Sequence, residues 1–97
     1  MPVEVRLHPD AEAEVRAAYL WYLERSQIVA EAFQMEMDRA IQVVSESPTR
    51  WPPLTETERR YVFPRFPFSL VYRATPERVE VIAFAHQKRK PNYWSSR

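Results

Sequence analysis

The residues best suited to chemistry gather at the end of the sequence. In "FAHQKRKPNYWSSR", His86 is one of two histidines in the chain. Lys88, Arg89, Lys90 and Arg97 follow it, with Tyr93 and Trp94 among them and no acid. Arg65 stands just ahead of the run "FSLVYRA". RNA cleavage needs a base for the 2′-hydroxyl, an acid for the leaving oxygen and cations for the charge that develops. Histidine is the side chain type suited to moving a proton near neutral pH, which makes His86 a candidate for that role. Arg65 and Arg89 can hold phosphate oxygens bidentately, and Tyr93 can stack on a base or carry a proton. Arg65, His86, Arg89 and Tyr93 are therefore the candidate catalytic set, and Arg59, Arg60, Arg73, Lys88 and Lys90 the candidate nucleic-acid contacts. Plainer roles stand beside these. A strand-end histidine can be merely hydrogen-bonded, Tyr93 and Trp94 can bury their rings to fasten a terminus, and Lys88, Lys90 and Arg97 can be solvated. Arg59 and Arg60 can keep an outer strand from pairing with other chains.

Composition removes several alternatives. The 97 residues contain no glycine, so no glycine-rich phosphate loop of the Walker or Rossmann kind can form. There is no cysteine, which excludes disulfides, thiolate catalysis and cysteine zinc sites. Two histidines are too few to suggest a transition-metal centre, and neither a metal nor an organic cofactor is expected. No stretch approaches the roughly 20 apolar residues of a membrane span, which points to a cytoplasmic protein with no membrane partner. The net charge of +1 conceals a split. Residues 1–48 carry nine acids and four bases, residues 49–97 ten bases and four acids. A basic half can attract a polyanion although the whole is nearly neutral.

The elements that must position these residues read as one domain over residues 1–97. "PVEVRLH" alternates, with Val3, Val5 and Leu7 on one face, as in a half-buried strand. Pro9 suits a first helical turn, and Asp10, Glu12 and Glu14 suit its positive end. That helix should reach about Arg25, with Ala11, Val15, Ala18, Tyr19 and Tyr22 as its apolar stripe and Leu20, Trp21 and Leu23 widening it. Ser26 can cap a second helix whose stripe is Ala30, Phe33, Met37, Ala40, Ile41 and Val44, with Glu31, Glu36, Asp38 and Arg39 outside it; Pro48 ends it. "PTRWPPLTETE" is a surface connection pinned by Trp51 and Leu54. "RRYVF", "FSLVYRA" and "VEVIAFAH" should then form an antiparallel meander. The expected fold is α+β: an N-terminal strand, an antiparallel helical hairpin on one face of the sheet and a three-stranded meander, leaving the other face free.

The segments "HPDAEAEVRAAYLWY", "AEAFQMEMDRAIQVVSESPTRWP", "RRYVFPRFPFSLVYR" and "VIAFAHQKRKPNYWSSR" resemble the RelE/ParE superfamily of toxins from type II toxin–antitoxin and plasmid-stabilisation modules. The resemblance covers nearly the whole chain and implies the same fold, with a curved sheet. It implies growth inhibition by one of two routes, ribosome-dependent cleavage of messenger RNA, as in RelE-like members, or poisoning of DNA gyrase without enzymatic action, as in ParE-like members. A degenerate member that only binds its antitoxin is a third reading. Against the messenger-RNA cleavers, Tyr93 and Arg89 match a tyrosine and a later arginine, and Arg60 and Arg65 roughly match paired lysines. Ser69 and Gln87 stand where those relatives carry arginines. The implied partner is a cognate antitoxin whose C-terminal segment wraps the toxin, with an acidic stretch over the basic half.

Overall fold

The computed structural model describes residues 2–97. Its elements follow the expected order: β1 (Glu4–Leu7), α1 (Pro9–Arg25), α2 (Gln27–Glu46), β2 (Arg59–Val62), β3 (Phe68–Ala74) and β4 (Arg78–His86). The sheet order is β1-β4-β3-β2. β2, β3 and β4 form the antiparallel meander, and β1 joins the far side of β4 in parallel. Among the described residues, no helix is long and apolar enough to cross a membrane.

Local chemistry explains the helical hairpin. His8 caps α1, its Nδ1 accepting from the Asp10 N–H at 3.0 Å. A single extended residue, Ser26, separates the helices. Its N–H donates to the Tyr22 carbonyl at 2.8 Å, closing α1, while its Oγ accepts from Val29 N–H at 3.2 Å, opening α2. The stripe of α2 drives Phe33, Met37, Ala40 and Val44 into the core against Leu70, Tyr72, Val79, Val81 and Phe84 of the sheet. Phe33 meets Tyr22, Phe66 and Phe84 with ring centroids 5.3 to 5.7 Å apart. Tyr72 is fully buried and donates to the Pro48 carbonyl at 2.6 Å, with burial pushing its pKa up to about 12. Trp51 and Leu54 are both half-buried and fasten the connection, Trp51 edge-on to Tyr61 at 4.8 Å.

Three expectations need correction. Leu20, Trp21 and Leu23 do not widen the buried stripe of α1; all three stay exposed near the hairpin tip. Glu36 is not outside the α2 stripe but buried, where its carboxylate accepts from the Arg65 N–H at 3.0 Å and Arg65 Nε at 2.8 Å. The second face of the sheet is not free. Residues 91–97 fold back so that Trp94 covers Val71, Ile82, Ala83 and Ala85, flanked by Tyr93 and Leu54. Trp94 Nε1 donates to the buried Glu58 carboxylate at 3.1 Å. This return begins at Asn92, whose φ of 62° lies in the left-handed region. In a chain without glycine, asparagine is the residue that most readily takes that conformation.

Candidate functional site

The site is built on the last half of β4. Val71 pairs with Ala83 but Tyr72 with Val81, so Ile82 is an extra residue and the strand bulges there. The bulge resets the alternation. Val79 and Val81 face the helices, Ile82 and Ala83 both join the second face, and Phe84 returns to the helical side. His86 follows Phe84 onto that side and meets Phe68 edge-on at 5.1 Å. Strict alternation from Val79 would have put Phe84 and His86 with Trp94 instead.

β1 accompanies β4 only as far as Val81, where His8 N–H donates to the Val81 carbonyl at 2.8 Å. Beyond that point the outer edge of β4 has no strand beside it among the described residues, and side chains satisfy it. Glu14, from the second turn of α1, takes the Phe84 N–H on Oε1 at 3.1 Å. The same carboxylate accepts from Tyr93 Oη at 2.6 Å, from Arg89 Nη1 at 3.2 Å, and from Arg97 Nη1 and Nη2 at 2.7 and 3.2 Å. Arg97 Nη1 also reaches the Ile82 carbonyl at 3.2 Å. The Arg89 guanidinium lies 3.7 Å from the centre of the Tyr93 ring, within range of a cation–π contact.

Two guanidiniums, those of Arg89 and Arg97, share the Glu14 carboxylate, and Arg97 Nε also lies 3.5 Å from the Asp10 carboxylate. Burial alone would raise the Glu14 pKa, but hydrogen bonds from Arg97, Tyr93 and the Phe84 N–H outweigh it and hold the carboxyl below its ordinary value. Burial and the bond to Glu14 push the Tyr93 phenol well above its ordinary value. The bond to Glu14 raises Arg97 further. Tyr93 is thus a fixed donor near neutral pH, unavailable as a base.

The other predicted residues disperse. Arg65 is anchored on Glu36 of α2, away from the Glu14 cluster. Arg59 donates to the Trp51 carbonyl at 2.7 Å. Arg73 lies between Glu58 and Glu80, at 3.5 and 3.8 Å. Lys88 and Lys90 are exposed. His86 Nδ1 accepts from Lys88 N–H at 3.1 Å, which leaves Nε2 to carry the proton of the neutral ring. Two grooves meet at His86 and Arg89. One, of about 490 Å³, runs between α1 and the sheet and is walled by Ala17, Ala18, Trp21, Tyr22, Phe68 and Phe84. The other, of about 340 Å³, is on the second face and adds Arg60, Ser69, Gln87 and Asn92.

Sequence reasoning missed Glu14 as the organiser and took Arg97 for a solvated cation. A signal was present. Glu14 falls between Ala11 and Ala18 on the buried stripe of α1, as Glu36 falls between Phe33 and Ala40 on that of α2. An acid inside an apolar stripe marks a buried carboxylate that must find donors.

Comparison with known proteins gives the family and the fold. Residues 5–91 match the family described as ParE toxin of type II toxin-antitoxin system, parDE. The chain belongs to the ParE toxin family. A solved structure described as the chromosomal ParDE TA system from P. aeruginosa shares the fold with a TM-score of 0.73 at 17% identity, over 87% of this chain and 95% of that one. No curated protein sequence matches. The ParE match takes in α1, with Glu14, and β4 with the residues after it as far as Pro91, but stops before Tyr93, Trp94 and Arg97. The residues that close the β4 edge from the C-terminal side therefore lie beyond the part the family description covers.

Proposed function

We propose that this ParE-family chain is the toxin of a type II toxin–antitoxin module and arrests growth by binding DNA gyrase, without cutting RNA. One observation carries the choice of route: the Glu14 carboxylate engages Arg89, Tyr93 and Arg97 together. RNA cleavage needs a base and unpaired cations at the scissile phosphate. Here Tyr93 holds its proton, Arg89 shares an acid, and Arg65 is fastened to Glu36. Ser69 and Gln87 supply no charge where RNA-cleaving relatives carry arginines. His86 is left as the one proton carrier of the four candidates, and its Nδ1 is taken up by the Lys88 N–H. A binding toxin needs none of this chemistry; it needs a stable surface, which the clasp provides.

The cognate antitoxin is the second partner. The apolar groove beside α1 suits an extended or helical segment, and Arg89 at its rim suits an acid on that segment. The second groove favours the competing RNA reading, because it gathers Arg60, His86 and Arg89 along one wall system.

Purified protein should inhibit supercoiling by gyrase while leaving messenger RNA intact in a translating extract. RNA loss with gyrase unaffected, abolished by His86→Ala with Arg89→Ala, would reject this reading in favour of cleavage. Expression without the antitoxin that leaves growth unchanged would reject both and leave a chain that only binds its antitoxin.

A further inference from the structure

The groove on the second face differs from its neighbours in charge. Its walls include Arg60, His86 and Arg89 and, among the described residues, no acid. The groove beside α1 includes Glu14, and a third hollow beside the connection includes Glu56 and Glu58. The strand register makes the hollow. Ser69 of β3 stands opposite Ala85 of β4, two small side chains on this face, and in the next row Arg60 of β2 stands opposite Val71. Ser69 is only 7% exposed and lines the groove, and its hydroxyl has no hydrogen-bond partner among the described residues. A buried hydroxyl left without a partner is costly, and this one opens onto the groove. Arg60 is exposed and pairs with no acid among the described residues. Glu14 engages only Nη1 of Arg89, which leaves Nε and Nη2 as donors. The Nε2–H of the neutral His86 ring is a further donor.

We infer that this groove is a phosphate-binding site that holds its ligand without cleaving it. Phosphate oxygens only accept hydrogen bonds, so a phosphate needs donors around it and no competing carboxylate. Arg60 lies on β2 and Arg89 follows β4, so the two guanidiniums flank Ser69 on the strand between them. Each guanidinium can present two parallel N–H donors to phosphate oxygens. The Ser69 hydroxyl donates from the floor. Val71, Ala85 and Trp94 make the rest of that floor apolar, and a low local dielectric strengthens each of these bonds. The phosphate can arrive free, as a small ester, or as part of a nucleic-acid backbone, since the same donors recognise all three. The site is independent of the target assigned above. A chain that fails to inhibit gyrase can still bind phosphate here, and a chain without this site can still bind gyrase.

The test is a titration of the full chain with inorganic phosphate, followed by amide chemical shifts, with chloride at equal ionic strength as the control. Saturable shifts at Ser69, Gln87 and Asn92 are expected with phosphate and not with chloride. Arg60→Gln and Ser69→Ala, on samples whose circular dichroism is native, should each weaken binding by about tenfold. A short DNA duplex separates the sources. Displacement of phosphate from the same amides by the duplex supports a backbone phosphate as the ligand. A duplex that leaves those amides unmoved while phosphate shifts them supports a free phosphate or a small ester. Shifts that chloride reproduces, that are confined to Lys88 and Lys90, or that both variants leave unchanged overturn the proposal, because they reduce the effect to general screening of surface cations.

Discussion

Replacing Glu14 by glutamine keeps the shape of the side chain and removes its charge. The carboxylate is 14% exposed and takes hydrogen bonds from three side chains and one backbone N–H. A hydrogen bond to a charged group is worth about 1.5–3 kcal/mol, but bonds sharing one acceptor do not add. Removing one partner of a buried ion pair costs about 3–5 kcal/mol. Arg97 is the partner that suffers, at 12% exposure, whereas Arg89 at 53% can turn to water. The expected loss is therefore near the lower end, about 3 kcal/mol. For a domain of this size each 1 kcal/mol lowers the melting temperature by roughly 4–8 °C, so the drop should be roughly 12–24 °C. The pH dependence identifies the cause. Glu14 is held below its ordinary value of 4.5, so its stabilisation is complete above that value and is lost as pH falls through the lower folded-state value. The gap between wild type and Glu14→Gln, measured by urea unfolding, should be constant near neutral pH and close in acid below 4.5. A gap under about 1 kcal/mol at neutral pH, or one that persists unchanged into strong acid, would refute the account of Glu14 as an ionised hub.

Arg65→Ala should cost about 3 kcal/mol in the same assay, because it leaves the Glu36 carboxylate, 5% exposed, without its cation; a change within about 0.5 kcal/mol would mean that the backbone N–H of residue 65 suffices. Deleting Ile82 should remove the bulge and restore strict alternation in β4 while leaving Phe84 and His86 on the helical side, because Ala83 then follows Val81 onto the second face. Cooperative unfolding and the near-ultraviolet dichroism of the aromatic core should survive the deletion, and their loss would disprove the reading of Ile82 as the extra residue of a bulge.

Much of the fold was legible because its signals are local. Pro9, Ser26 and Pro48 punctuate the helices where they should, and the alternation of Val3, Val5 and Leu7 and of Phe68, Leu70 and Tyr72 assigns faces correctly. The bulge was not legible. "VIAFA" is apolar throughout, so a change of parity leaves no trace in hydrophobicity, and no glycine marks it. The candidate site was legible in its residue types and not in its arrangement. Arg89, Tyr93 and Arg97 converge on a carboxylate more than 70 residues earlier in the chain, a long-range contact with no periodicity to betray it. The reading of Tyr93 and Trp94 as rings that fasten a terminus agrees with their packing against the second face.

The three tryptophans occupy three different surroundings, and this makes the protein its own optical gauge. Trp21 is about half exposed with the Arg25 guanidinium 3.6 Å from its ring centre, Trp51 is wedged against Tyr61, and Trp94 is 6% exposed beside the Glu58 carboxylate. A soluble quencher reaches the first and not the third. Light emitted by Trp94 therefore follows the C-terminal return directly. Arrival of a partner that lifts it would register as a red shift and a rise in quenching, with no label attached.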